Sequence, residues 1–223
     1  MRPKSICFIG LDGSGKSTAI SFALKWCEEH NINAEIVRAA YVIEKSKWLV
    51  SIGKKATMHK HSDPYKKGDY ANYLEQMRKT NRKSLKYRIF SCITTHEFKQ
   101  QIRERIIKKQ KQGINLLIDR YIYDNAVTYA ANLGLGQEYI VDTLTKKWKK
   151  APIPDCLVYV KTPINVCLSR KDDIPDPLYL EIREPLYDLV ANLYNARCVD
   201  GQKNIDEFKK DIIRICEEVF ING

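Results

Sequence analysis

The sequence predicts an α/β fold, a five-stranded parallel sheet with helices on both faces, and three observations carry that prediction. Short apolar runs alternate with helical periodicity almost throughout the 223 residues. Residues Gly10-Leu11-Asp12-Gly13-Ser14-Gly15-Lys16-Ser17-Thr18 match the phosphate-binding pattern G-x-x-x-x-G-K-[ST], set between the first apolar run and the first helical stretch. With 44% hydrophobic residues, the chain can bury about 70% of its unfolded surface in one domain of this size.

The elements follow in order. Ile6-Cys7-Phe8-Ile9 is apolar enough for a buried strand over 5–10, and Ile20, Phe22, Ala23, Trp26 and Cys27 recur at helical spacing over 16–30. A second strand covers 34–38. A long basic helix, broken somewhere, covers 72–112 and is stopped by Gly113 just before a third strand at 114–118. Helices at 121–132 and 137–150 lead to a fourth strand at 156–160. Helices at 163–170 and 176–195, a fifth strand at 197–199 and a helix at 204–221 complete the pattern. The stretch 53–70, with Gly53, Pro64 and Gly68, reads as a loop, and His59 and His61 within it as loop histidines rather than metal ligands.

Charge is uneven. The chain carries a net +11, but residues 45–112 alone hold 19 Lys and Arg against 5 Asp and Glu, so the remainder is slightly acidic. The basic segment reads first as a solvated helix face, because Leu85, Ile89, Ile93, Ile102 and Ile106 interleave with its cations. Substrate steering and nucleic-acid binding stay open beside it. The seven cysteines are an odd, scattered set without a C-x-x-C pair and read as small core residues. No 18-residue apolar run suggests a membrane span, and the phosphate loop begins too early to leave room for a cleavable signal; the expectation is a cytoplasmic protein.

The loop motif carries the chemistry. Between a strand and a helix, the amides around Gly10, Gly13, Ser14 and Gly15 and the positive helix end surround a phosphate chain; Lys16 adds a point charge. The Ser17 hydroxyl is placed for magnesium, with Thr18 next to it. A second constellation, Leu116-Leu117-Ile118-Asp119-Arg120-Tyr121, ends a hydrophobic strand in an acid and a base. There Asp119 can orient magnesium and Arg120 can reach phosphate oxygens, or the two can simply be a solvated pair.

Taken together, the loop, Asp119-Arg120-Tyr121, Pro154-Asp155 leading the fourth strand, Thr162-Pro163 after it, Arg170, and Glu181-Ile182-Arg183 leading to Tyr187 resemble the thymidylate kinase family over nearly the whole chain. The resemblance implies a P-loop kinase fold in three layers and transfer of the γ-phosphoryl of ATP to dTMP, with magnesium. It implies a single domain over 1–223, with a basic helical insertion at about 42–88 and a short lid at about 169–178. By the same resemblance Lys16 and Ser17 serve ATP and its metal, Asp12 faces the acceptor, and Asp119 and Arg120 flank the acceptor phosphate. Arg38 lies near the family's substrate-phosphate arginine. Arg170 and Lys171 open the lid, and Asp200-Gly201-Gln202 border the adenine. Phe90 (or Phe98) would stack on the base, Tyr121 would lie against the substrate, and Tyr65, Tyr70 and Tyr73 would approach it from the insertion. A homodimer is left open; a membrane partner is not expected.

Departures from the family pattern are local. Arg38 is followed by Ala39-Ala40 instead of Glu-Pro, and no arginine follows Phe90 or Phe98 at the family's offset. The lid carries Asp172, Asp173 and Asp176 in place of further arginines. Two other functions stay open: a kinase of a nucleoside or other small molecule, and a nucleotide-binding protein with a regulatory role.

Overall fold

β1 (Ser5–Ile9) is buried along its whole length, as a strand covered on both faces must be. The structure is a computed structural model that describes residues 2–42, 69–79, 82 and 84–222, Lys86 by its backbone alone. With β2 (Ala34–Arg38), β3 (Asn115–Asp119), β4 (Cys156–Lys161) and β5 (Arg197–Asp200), β1 forms one all-parallel sheet in the order β2-β3-β1-β4-β5. The five strands agree with the expected ones to within a residue or two. The expected loop at 53–70, with its histidines and Tyr65, lies outside the described residues except for Asp69 and Tyr70.

Successive strand residues face opposite layers. Ile6 and Phe8 pack with Leu117, Val158, Val160 and Val199 against helices α1 (Lys16–Glu29) and, at the other end of the chain, the helix Ile205–Phe220. Cys7, Ile9, Leu116 and Ile118 turn the other way. They meet the layer built from α2 (Tyr70–Arg78), α3 (Leu85–Ile102), α4 (Ile122–Leu133), α5 (Gln137–Asp142), α6 (Ile164–Arg170), α7 (Pro177–Glu181) and α8 (Glu184–Leu193). The helix Ile205–Phe220 is α9. The free thiols of Cys7, Cys27, Cys167 and Cys216 are buried, and Cys92 and Cys198 are exposed. No described helix is long and apolar enough to cross a membrane.

The long basic helix is three pieces: α3, a π-helical turn at Arg103–Ile107 and a last turn at Lys108–Lys111. From residue 85 to 111 it rises about 40 Å, whereas a five-residue strand spans about 17 Å. Only its C-terminal half therefore lies over the sheet. Phe98, Ile102 and Ile106 are buried there, while Leu85 and Ile89, on the overhanging half, are exposed. A second π-helical turn, Thr143–Lys147, extends α5.

Strand order places the functional end. β1 has β3 on one side and β4 on the other, so the chain reverses its direction of winding at β1, and a crevice opens beyond the carboxyl ends of the strands. In register, Asp119 sits beside Phe8 on one side and Arg38 on the other, and Lys161 beside Asp200.

Candidate active site

The turn after β1 is shaped by glycine where nothing larger fits. Gly10 has φ +144°, and a Cβ there would lie 2.5 Å from the Val160 carbonyl oxygen; Gly13 has φ +84°, and its Cβ would meet the Cys167 carbonyl oxygen at 2.5 Å. Gly15 caps α1 in a left-handed conformation, which aims the first amides of the helix into the crevice. The loop is held from outside: Thr162 Oγ1 donates to the Ser14 carbonyl at 2.9 Å. The Ser14 hydroxyl itself is buried without a hydrogen-bond partner.

Lys16 is buried, and its ammonium donates to the carbonyls of Gly10 at 2.9 Å and Leu11 at 2.6 Å. Burial and then the Arg120 guanidinium push the Lys16 pKa below the usual lysine range, against the pull of Asp12, Asp124 and Asp119. The cation is thus held folded over its own loop, beside a concentrated positive field.

Asp12 and Arg120 form a charge-assisted pair across the crevice. Burial alone would raise the Asp12 carboxyl, but Arg120, Lys16, Lys171 and a hydrogen bond from the Tyr179 hydroxyl at 3.0 Å outweigh it and hold it at about 2. Arg120 itself sits at φ +59°, a strained setting for a residue with a long side chain, and directly follows β3. Its neighbour Ala39 donates its amide toward the carbonyls of Asp119 and Arg120, which fastens the end of β2 to the same turn. From the π-helical turn, Arg105 donates to the carbonyls of Arg38 and Ala40 at 3.3 Å each.

A cavity of about 600 Å³ opens between these groups. It brings together Asp12, Gly13, Gly15, Lys16, Ser17, Thr18, Arg38, Asp119, Arg120 and Arg170 of the residues singled out from sequence. Lys171 and Gly201 line it too. Arg170 donates to the Gly201 carbonyl at 3.0 Å, which ties the end of α6 to the turn after β5. Gly10 and Ser14 form the buried floor. Two expected substrate contacts lie elsewhere. Tyr121 is fully buried and donates to the Pro152 carbonyl at 3.1 Å, and Phe90, half-buried on α3, does not line the cavity.

Residues outside the phosphate loop and the Asp119-Arg120 turn complete this region. Lys203, Ile205 and Phe208 close the far side of the cavity. Asp124 is buried, accepts the Tyr121 amide at 3.0 Å and the Tyr187 hydroxyl at 2.8 Å, and has its pKa raised by burial despite Arg120 and Lys16. Arg183 is buried under the Tyr179 ring, with its guanidinium 3.7 Å from the ring centroid. It donates to Tyr70 Oη and the Tyr179 carbonyl at 2.7 Å and to Asn132 Oδ1 at 2.8 Å. Among the described residues it is in no ion pair. It therefore clamps the ring whose hydroxyl reaches Asp12. Tyr70, expected at the substrate, instead serves this clamp and stacks on Tyr73. The acids that follow α6 also have local partners: Asp176 caps α7 through the Leu178 amide at 2.8 Å, and Asp173 pairs with Lys171 at 3.2 Å.

No family model matches the chain. It is 27% identical over 232 residues to the thymidylate kinase of Francisella tularensis subsp. holarctica (strain OSU18), covering 99% of this chain and 98% of that protein. It is 26% identical over 232 residues to the thymidylate kinase of Francisella tularensis subsp. novicida (strain U112). The thymidylate kinase of Francisella philomiragia is 26% identical over 231 residues, covering 97% and 99% of the two chains.

Proposed function

We propose that the chain belongs with the thymidylate kinases and transfers the γ-phosphoryl group of ATP to a nucleoside monophosphate, with dTMP as the acceptor. The observation that carries the reading is the Asp12–Arg120 pair set across one cavity from Lys16, Arg38 and Arg170. Such a ring of cations around a phosphate loop is suited to two phosphate-bearing ligands facing each other. The near full-length similarity to proteins named thymidylate kinase supports the same reading.

The residues present fit a nucleotide and its metal. Glycines at 10 and 13 let backbone approach where a Cβ would clash, the Gly15 cap exposes helix amides, and the Ser14 hydroxyl is an orphan in the floor. Lys16 would swing from the Gly10 and Leu11 carbonyls to phosphate oxygens. Ser17 and Asp119 would hold magnesium, which supplies charge neutralisation on the phosphates. Gly201, Ile205 and Phe208 offer an apolar edge for the adenine. In the transfer, an oxygen of the acceptor phosphate bonds to the γ-phosphorus as the bond to the β-γ bridging oxygen breaks. Lys16, Arg120, Arg38 and Arg170 stabilise the charge that spreads over the equatorial oxygens.

Electrostatics favour a phosphate over a hydroxyl as acceptor. A hydroxyl profits from a carboxylate base whose pKa lies near the working pH, and Asp12, held at about 2 and occupied by Arg120 and Tyr179, is a feeble base. A phosphate oxygen is ionised already and needs only positioning. The test is an ADP-release screen over nucleosides, nucleoside monophosphates and sugar phosphates. Turnover confined to monophosphates, greatest with dTMP, is expected; turnover with nucleosides alone refutes it.

A further inference from the structure

Outside the phosphate cleft, the overhanging half of α3 builds a second concave site. Arg88, Ser91, Cys92, Thr95, His96 and Lys99 line it at intervals of three and four residues, so they share one face of the helix. Arg82 and Tyr87 extend that face, and Lys147, from the π-helical turn after α5, stands opposite. The groove has a volume of about 470 Å³, and among the described residues it shares none with the phosphate cleft and is lined by no Asp or Glu.

Among the described residues its charges have no acidic partner. Other helix lysines pair with acids a turn away, as Lys25 does with Glu29, Lys79 with Glu75 and Lys108 with Glu104. Among the described residues, none of Arg82, Arg88, Lys99 and Lys147 is in an ion pair. Lys147 is pushed below the usual lysine range, by the protein around its ammonium first and by Lys99 second, while it lies 6.0 Å from the centroid of the buried Trp148 ring. Like charges gathered in one groove with hydroxyl and imidazole donors raise its potential and attract a multiply charged anion.

Length selects the kind of anion. Arg88 and Lys99 are separated by about 16 Å along α3. That is too long for one phosphate and suits a run of linked ones. We infer that this groove is a binding site for a chain of phosphate groups, separate from the site of phosphoryl transfer. The chain can belong to a small polyphosphate or to the backbone of a single-stranded nucleic acid.

The experiment uses the full chain carrying Lys16→Ala, which weakens phosphate binding at the first cleft, with and without the pair Lys99→Gln and Lys147→Gln. Inorganic tripolyphosphate is titrated calorimetrically, and fluorescein-labelled dT15 by anisotropy, from 50 to 200 mM salt. Binding of one or both probes is expected, weakened at least fivefold by the pair. The logarithmic salt slope for dT15 is expected to flatten by about 0.7 for each cation lost. Tighter binding of tripolyphosphate assigns the groove to small polyphosphates; tighter binding of dT15 assigns it to nucleic acid. Both substituted side chains are exposed, and thermal melting of the pair variant should match or exceed that of its parent, since two repelling charges are gone. Absence of binding below about 1 mM for both probes, or less than fivefold weakening by the pair, overturns the inference. In the otherwise unchanged chain, the pair should leave the rate of ADP release unaltered; a kinase that fails in both forms condemns the proposed activity, not this groove.

Discussion

The two basic concavities of this protein hold their cations differently. In the phosphate cleft nearly every positive group has a fixed partner: Arg120 has Asp12, Lys171 has Asp173, Lys203 has Asp211 at 2.7 Å, Arg170 has the Gly201 carbonyl and Lys16 two loop carbonyls. In the groove on α3 the cations stand together with no Asp or Glu among the described lining residues. The contrast separates two uses of charge. Partners fix direction, which phosphoryl transfer needs at a resolution finer than an ångström, whereas unpaired cations supply field and tolerance for an extended anion.

Lys16 is where the comparison breaks most severely. Lys16→Ala should lower kcat by more than about a hundredfold, a transition-state term of a few kcal/mol, with an unchanged circular dichroism spectrum. Near-normal turnover in the folded variant would remove the cleft from the chemistry. Next in size are the two residues that end β3. Arg120→Ala should cost about one to two orders of magnitude in kcat through the loosened acceptor clamp, while Asp119→Asn should depress kcat and raise the magnesium concentration needed for half-maximal rate. Equal, small losses from both would remove the end of β3 from the chemistry.

What the sequence made legible was whatever chemistry is local in the chain. The loop from Gly10 to Thr18 and the turn Asp119-Arg120 are contiguous motifs, and strand–turn geometry delivers them to the crevice whatever the rest of the fold does. Tyr121 follows Arg120 directly, but the positive φ at Arg120 sends the two side chains to different places, one into the cleft and one into the core. Arg183 is legible as part of Glu181-Ile182-Arg183, but its partner Tyr179 is not, because Tyr179 lies 167 residues from Asp12 and no spacing rule connects them. The local partner of Asp176 is hidden in the sequence for a similar reason. Asp176 is a helix cap, and helix ends are the least legible boundaries in a pattern that reads 176–195 as one helix.

Smaller effects sharpen the role of fixed partners. Tyr179→Phe keeps the ring that Arg183 stacks on and deletes one hydrogen bond to Asp12. It should lower kcat by about fivefold, in line with about 1 kcal/mol for a hydrogen bond, with the KM for ATP unchanged. An equal change in both would mean that the hydroxyl matters for binding instead. The smallest expected effect is on stability. The Asp12 pKa is about 2 in the folded chain and about 3.9 in the unfolded one, so its ionised form favours folding above pH 4, and that contribution fades as pH falls toward 2. The stability difference between the natural chain and Asp12→Asn, measured by urea unfolding, should therefore shrink by about 1 kcal/mol from pH 6 to pH 3. A constant difference would mean that Asp12 is not held by Arg120 and Tyr179 in solution.

The most direct test of the central claim follows the phosphoryl group itself. With ATP labelled at the γ-phosphorus and magnesium present, dTMP and thymidine are offered in parallel and the products separated by chromatography. Label is expected in dTDP and none on thymidine. Label on the thymidine hydroxyl, or no transfer to any nucleoside monophosphate, would contradict it.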